Sequence, residues 1–553
     1  MIRAALAAVF FGLLAAAPAF SAEPFDLVFE RGRVVDGTGA PWFVADVGVR
    51  GDRIAAIGDL SKERAKRRVN ARGLYVAPGF IDLLGQSEYH VLVDPRAASK
   101  VMQGITTEVT GEGDSIAPLT AKAIKDGATI YEHYGVTPDW TDLNGYFRAF
   151  RKARPAINLG TFVGAGGLRE LVVGLDSRAA TPEELRRMEN LVQEAMEQGA
   201  LGLSTSLIYT PGSFASTEEI IALAKVASRY GGSYFTHLRD EEDGIDGAFD
   251  EALRIGREAA IPVDVWHLKT AGRRNWGHMP KVLARIEAAR AEGLDVAANQ
   301  YPWTASGNAL SAAVPQWARE GGRAKLVERL KDPVTRRRVL EAMVKDDGEW
   351  PEKTERILLS SVFTPALKPL EGKTVAEIAK ARGKDAMETL LDLLVEDSGH
   401  TSRVTFTMRE DDVRAALAHP LVAFCTDSGA RAEDGRLSEE RSHPRGWAST
   451  ARILATYVRD EKLLRLEEAV RKMTSFPAAR AGLGDRGLVK VGLAADLTVF
   501  DLAKVEALST FADPNRYSAG FTHVAVNGRL VVDGGVMTKE RPGRPILGPG
   551  ALP

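Results

Sequence analysis

Two histidines, His237 and His267, close apolar runs that read as neighbouring β-strands, in SYFTH and PVDVWH. Other polar residues stand at the ends of similar runs. They are Asp82, Glu112, Tyr209, Lys269, Tyr301 and Asp427. Two imidazoles on adjacent strands, with an acidic residue on the same rim, make a divalent metal site of N,N,O type. A borderline cation such as Zn2+ suits that donor set. Asp427 has three readings from its position: a ligand, a general base, or the N-cap of a following helix. The other histidines that carry no such pattern, His90, His133, His278, His400, His419 and His523, read as ordinary polar residues.

Side chains at strand ends converge only if the strands lie side by side. Eight apolar candidates recur: LYVAPGFID, GITTEVTG, INLGTFVGAG, ALGLSTSLIY, GGSYFTHLR, PVDVWHLK, LDVAANQYPW and LVAFCTDSG. The middle ones are spaced roughly 30 residues apart, the size of one βα unit. Amphipathic stretches separate several of them. PEELRRMENLVQEAMEQG has Thr181 as N-cap, Pro182 in the first turn and Gly199 at its end. Eight units of this kind predict an α/β chain with a (β/α)8 TIM barrel, whose chemistry sits at the C-terminal strand ends. The last gap is much longer, so residues 305–401 read as an insertion before the eighth strand. The barrel then occupies 79–304 and 402–482.

Short β-rich runs flank it at both ends, in 23–78 and 483–553, with an Asn527-Gly528 hairpin signal in the latter. Neither piece makes a core alone, so the two are expected to form one β-sandwich from both termini. Residues 1–22 carry a short positive start at Arg3, an apolar run and small residues at Ala19, Ser21 and Ala22. That is the architecture of a cleaved signal peptide, and it predicts a periplasmic or secreted protein.

The 553 residues carry 72 Lys+Arg against 74 Asp+Glu, a net charge of -2, with 45% hydrophobic residues. This balance fits a globular protein and offers no basic field for nucleic acid. No second long apolar segment predicts a membrane span after the signal. The single cysteine, Cys425, excludes an intrachain disulfide framework and a Cys-rich zinc module. It lies within the eighth strand candidate and reads as a structural thiol.

Several segments in order carry a family resemblance: APGFID at 77–82, QGITTEVTG at 103–111, THLRDE at 236–241 and HLKTAGRRNWG at 267–277. YPW at 301–303, TDSG at 426–429, HPRGW at 443–447 and GLAADLTVFD at 492–501 continue it. Over residues 26–545 the chain resembles the metal-dependent amidohydrolases, and among them the D-aminoacylases (N-acyl-D-amino-acid deacylases). The resemblance implies a metal-bearing barrel with a β-sandwich and an insertion. It also implies metal ligation by His237 and His267, and catalysis by Asp427. Lys269, Tyr209, Tyr301 and Arg445 match positions that hold a substrate α-carboxylate. Trp303 and the insertion would shape the acyl side.

Two departures stand out. The superfamily follows PGFID with a His-x-His pair, where this chain has Leu84 and Gln86. The family's metal-binding cysteine is also missing. The chain runs Gly111-Glu112-Gly113-Asp114 there, and one deleted residue lets Glu112 fall on the cysteine position, with Asp114 as the competing ligand. A carboxylate can replace a thiolate on zinc, and some N-acetylglucosamine-6-phosphate deacetylases resemble this Glu, His, His arrangement. The expectation is one divalent ion, Zn2+, held by Glu112, His237 and His267. Asp427 would handle the proton during deacylation of a small carboxylate-bearing amide. Dipeptide or cyclic amide and lactone hydrolysis is an alternative on the same scaffold, and a non-catalytic binding protein is another. Acyl preference, chirality and oligomeric state are not encoded in these motifs.

Overall fold

The structure is a computed structural model that describes residues 23–346 and 348–552. The expected export signal, residues 1–22, lies outside the described residues.

The apolar run LYVAPGFID forms two strands rather than one, Tyr75–Pro78 and Phe80–Asp82. They belong to different sheets. Tyr75–Pro78 pairs in parallel with Leu27–Val34 and antiparallel with Leu497–Phe500. Phe80–Asp82 pairs in parallel with Ile105–Thr110. Gly79 lies between them. A Cβ there would lie 2.1 Å from Thr106 Oγ1, so no side chain fits at the crossing.

The remaining strand candidates also form. A six-stranded parallel sheet runs Val422–Phe424, Val296–Gln300, Val263–Val265, Ser233–His237, Gly202–Ser206, Val163–Gly164. A three-stranded parallel sheet holds Phe80–Asp82, Ile105–Thr110 and Asn158–Thr161. On one side the two are joined by the chain itself, since Asn158–Thr161 continues through Phe162 into Val163–Gly164. On the other side Gly85 forms a parallel bridge with Ser428, and Asp427 N donates to Leu84 O at 2.8 Å. Helices alternate with the middle strands. Pro182–Glu197 starts on a reciprocal cap, with Thr181 accepting from Glu184 N and Glu184 accepting from Thr181 N.

The insertion has its own core, which includes Leu310, Leu326, Leu330, Ile357, Leu390 and Leu394. Its boundary differs from the expected 305–401. Ser402–Phe406 is the central strand of its antiparallel sheet, between Ala305–Ala309 and Ile357–Ser361. Residues 402–406 therefore belong to the insertion's sheet and not to the parallel sheets. Arg403, Val404 and Thr405 alternate polar and apolar side chains, all three buried, and that alternation says nothing about which sheet the strand joins.

Strands from both chain ends share one nine-stranded sheet, joined where Tyr75–Pro78 meets Leu497–Phe500. Phe29, Val47, Val49, Val76, Leu497 and Val499 are buried together in it. The expected hairpin joins Phe521–Val526 to Arg529–Asp533, with Asn527 and Gly528 both at positive φ, as a two-residue I′-type turn requires. No helix among the described residues is long and apolar enough to cross a membrane.

Candidate metal centre

Three donors converge where parallel strands end. Ser233–His237 ends on one, Glu112 follows Ile105–Thr110, and His267 lies two residues beyond Val263–Val265. Their ligand atoms lie within 4.8 Å of one another. Glu112 Oε1 is 2.7 Å from His237 Nδ1 and 3.0 Å from His267 Nε2. One carboxylate oxygen facing two imidazole nitrogens is a donor set suited to a borderline divalent ion. Burial opposes the Glu112 charge, but hydrogen bonds from both histidines hold its carboxyl well below the usual range. Asp114 is exposed and stands outside the three-residue cluster.

Glu241 was not singled out by the sequence reading, although it closes THLRDE. It lies behind both imidazoles. Its oxygens are 3.6 Å from His237 Nε2 and 3.2 Å from His267 Nδ1. Lys269 Nζ donates to Glu241 Oε1 at 2.6 Å and lies 2.7 Å from His267 Nδ1. The contact to His237 is longer than a hydrogen bond, and the far nitrogen of His267 is held by Lys269, which Glu241 in turn positions. The signal was available, an acid four residues after His237, but it sits in a loop and not at a strand end.

Asp427 is buried beside this cluster. Burial pushes its carboxyl above the usual range, against the pull of Arg445. Arg445 Nη1 is 2.6 Å from Asp427 Oδ2, and Nη2 donates to Gly307 O at 3.1 Å. The fork whose position matches that of a substrate-carboxylate binder is thus engaged by Asp427. Gln86 Nε2 donates to Glu112 Oε2 and to Asp427 Oδ1, both at 3.1 Å. Gln86 therefore ties the Glu112 carboxylate to that of Asp427.

His267 and Asp427 both take left-handed backbone, with φ of 35° and 50°. Non-glycine residues hold that geometry only under surrounding constraint. Asn299 Oδ1 accepts from His267 N at 2.8 Å. Thr426 N donates to Asp82 Oδ1 at 2.8 Å, and Lys100 Nζ donates to Ser428 O at 2.7 Å. Lys100 and Asp82 pair at 2.9 Å, so one buried ion pair grips both neighbours of Asp427.

Tyr209 and Tyr301 complete the expected set. The Tyr209 ring centre is 5.2 Å from that of His237, and its hydroxyl accepts from Asn308 Nδ2 at 3.3 Å. Tyr301 is fully buried, its hydroxyl has no hydrogen-bond partner among the described residues, and Arg445 lies 4.8 Å from its ring centre. Glu112, Tyr209, His237, His267, Lys269, Tyr301 and Asp427 line one cavity of about 570 Å³. Arg445 lines an adjoining one of about 370 Å³. Cys425 is buried with a raised thiol pKa, caused first by burial and then by Asp82 and Asp427, which is the state of an inert thiol. The six other histidines that carried no pattern lie outside the cluster. His133, for instance, pairs with Glu440 at 2.9 Å.

Known proteins share both the sequence and the fold. The chain is 37% identical over 527 residues to D-aminoacylase of Alcaligenes xylosoxydans xylosoxydans, covering 94% of this chain and 97% of the relative. It is 37% identical over 524 residues to N-acyl-D-glutamate deacylase of the same organism, covering 94% and 96%. Among solved structures, N-acyl-D-glutamate deacylase of Bordetella bronchiseptica, complexed with zinc and a phosphonate inhibitor, superposes with a TM-score of 0.80 at 33% identity. That match covers 95% of this chain and all of the other. L-hydantoinase of Arthrobacter aurescens, at 17% identity and a TM-score of 0.55, shares the fold across 95% of this chain and all of its own. The sequence pattern of the amidohydrolase family matches residues 67–532, and the chain belongs to that family.

Proposed function

We propose that the protein is a metal-dependent hydrolase that deacylates N-acyl-D-amino acids, releasing a carboxylate and the free amino acid. The observation that carries this reading is the three-donor cluster of Glu112, His237 and His267 with Asp427 tied to it through Gln86. The names of its relatives support the substrate class. We further propose that the two parallel sheets are one closed (β/α)8 barrel. Support comes from the interrupted strand on one side and the Gly85–Ser428 bridge on the other.

One divalent cation, Zn2+, would be held by Glu112, His237 and His267, and when bound it would supply Lewis acidity towards water and the scissile carbonyl. Asp427 acts as the proton carrier: its carboxylate takes the proton from the attacking water and returns it to the leaving nitrogen. Gln86 holds the Asp427 carboxylate beside Glu112, and the grip on Thr426 and Ser428 fixes its backbone. Lys269, held by Glu241, keeps the His267 imidazole turned towards Glu112. Lys269, Tyr209, Tyr301 and Arg445 surround the substrate α-carboxylate. For Arg445 to receive it, the guanidinium must share its donors between Asp427 and the substrate, which its five N–H groups permit. Residues 1–22 direct export to the periplasm or the exterior.

The test is metal per chain and hydrolysis of N-acetyl-D-amino acids by the mature protein. Close to one ion per chain, with turnover abolished by chelation and restored by Zn2+, supports the reading. Turnover that ignores chelation refutes it.

A further inference from the structure

The helix that carries Arg445 is broken. Arg445–Arg452 contains one non-helical residue, Ala448, at φ -143° and ψ 20°, and continues as a π-helix over Ile453–Asp460. Alanine is the strongest helix former and the segment RGWASTAR holds no proline, so local preference does not account for the break. A side chain from elsewhere does. Gln103 is fully buried. Its Nε2 donates to Gly446 O at 3.1 Å, and its Oε1 accepts from Thr450 N at 3.2 Å. In a regular helix those two backbone groups would bond to each other. A carboxamide standing in the hydrogen-bond ladder is a known cause of a kink. Thr450 Oγ1 also donates to Gln103 O at 2.5 Å. The carbonyls on either side of Gly446 accept from side chains too. Ser449 Oγ donates to Arg445 O at 2.7 Å, and Ser518 Oγ to Trp447 O at 2.9 Å.

The same short segment holds the other half of the Asp427–Arg445 pair. Gln103 follows the helix Ala98–Val101. Its N donates to Lys100 O at 3.1 Å, and its Nε2 also donates to Ser99 O at 2.8 Å. Lys100 Nζ donates to Thr426 Oγ1 at 2.8 Å and to Ser428 O at 2.7 Å, on the two neighbours of Asp427. Lys100 therefore grips the flanks of Asp427, and Gln103 grips the helix of Arg445. The two gripped segments lie against each other, since a Cβ on Gly446 would lie 2.5 Å from Ser428 Oγ. The helix start is fixed as well. Arg445 N donates to His443 Nδ1 at 3.0 Å, and His443 Nε2 donates to Ala305 O at 2.9 Å.

We infer that Gln103 is a positioning residue for the hydrolysis: its carboxamide holds the helix open at Ala448, so that the Arg445 guanidinium reaches Asp427 and the substrate carboxylate. The effect on turnover rests on the deacylase reading, whereas the placement of Arg445 does not. Gln103 lines neither cavity, so it acts only through the helix. Without the carboxamide the helix can close the Thr450 N to Gly446 O bond. Ala448 then returns to helical backbone, and residues 445–447 turn relative to residues 449–452. A guanidinium meets a carboxylate through directed N–H donors, so a shift of about 1 Å spoils the alignment and costs up to about 100-fold in rate.

Two measurements on Gln103→Met test this, since methionine has a similar length and makes neither bond to the helix. In a crystal structure of the metal-loaded variant, Ala448 is expected in helical backbone with Arg445 withdrawn from Asp427. An Arg445–Asp427 pair at its wild-type distance overturns the inference. Steady-state kinetics then complete a double-mutant cycle with Arg445→Lys, on the N-acetyl-D-amino acid that the wild type turns over fastest. Gln103→Met is expected to lower kcat/KM by about 10- to 100-fold when Arg445 is present. In the Arg445→Lys background it should cost less than about twofold, because the group it would misplace is already gone. A purely structural role costs the same factor in both backgrounds, and that result also overturns the inference. Gln103→Glu keeps the acceptor for Thr450 N and loses the donor to Gly446 O, and it takes the place of Gln103→Met in both measurements if that variant does not fold. Failure of both to fold assigns Gln103 to stability alone and overturns the inference. An inactive wild type sinks the deacylase reading and leaves the crystal structure to decide what holds Arg445.

Discussion

Leu84 and Gln86 stand where the superfamily has two ligand histidines, and they act differently. Leu84 contributes only its carbonyl, to Asp427 N, while Gln86 contributes a side-chain bridge between two carboxylates. An amide donating to two anions stabilises them without adding a charge or a metal ligand. Gln86→Leu is therefore expected to keep the bound ion and lower kcat by about 10- to 100-fold, since a hydrogen bond to a charged group is worth about 1.5–3 kcal/mol. Metal analysis beside kinetics separates the two effects. Glu112→Ala should lose the ion, because two imidazoles remain. Asp427→Asn should retain it and lose turnover by about 100-fold or more, the usual weight of a positioned proton carrier. Equal metal loss in both variants would make Asp427 a ligand. Glu112, His237 and His267 were legible because strand ends converge whatever the loops do. Glu241 was not, because a loop residue reaches the imidazoles only through the path its loop takes.

At the scale of elements, the strand Phe80–Asp82 and the short helix Ala98–Val101 are locked by charges in the core. Lys100, Asp82 and Glu108 are all fully buried side chains, with Lys100 Nζ 2.9 Å from Asp82 and 2.6 Å from Glu108. Asp82 reads from sequence as one more polar strand end, yet it turns to Lys100 and Thr426 instead of the cavity. Removing the shared cation leaves two carboxylates unpaired in the interior, so Lys100→Met is expected to cost about 3–5 kcal/mol of stability. Urea denaturation followed by circular dichroism measures it. A cost near zero would show that the carboxylates simply take up protons. Gly79 is the other element-scale constraint: with Thr106 at 2.1 Å from a Cβ, Gly79→Val should prevent the two strands on either side from forming together. Soluble expression of that variant at the parent level would contradict this.

The whole molecule depends on its last residues. Leu497–Phe500 is the strand beside Tyr75–Pro78, and the chain beyond the hairpin returns to the parallel strands. Asn527 Nδ2 donates to Asn158 Oδ1 at 2.8 Å, and Ile546 N donates to Leu159 O at 2.8 Å. A chain ending at residue 482 would leave Phe29, Val47 and Val76 without Leu497 and Val499, and with them an exposed strand edge. It is expected to aggregate and to lose metal binding as well as the β-domain. A folded, metal-loaded truncation would show that the parallel strands and their helices stand alone.

The sequence by itself determined the local and repetitive features. The period of strands and helices, the cap at Thr181, the Asn527-Gly528 turn and the strand-end donors all follow from residues near one another in the chain. Only the tertiary structure decided which polar residues meet. Gln86 reaches Asp427 across 341 positions, Lys100 reaches Thr426 across 326, and Arg403 joins the insertion's sheet before it faces the cavity. Hydrophobic periodicity reports which face of an element is buried and carries no information about its partner, whereas hydrogen bonds and ion pairs act over only a few ångströms and form wherever the folded backbone brings their groups together.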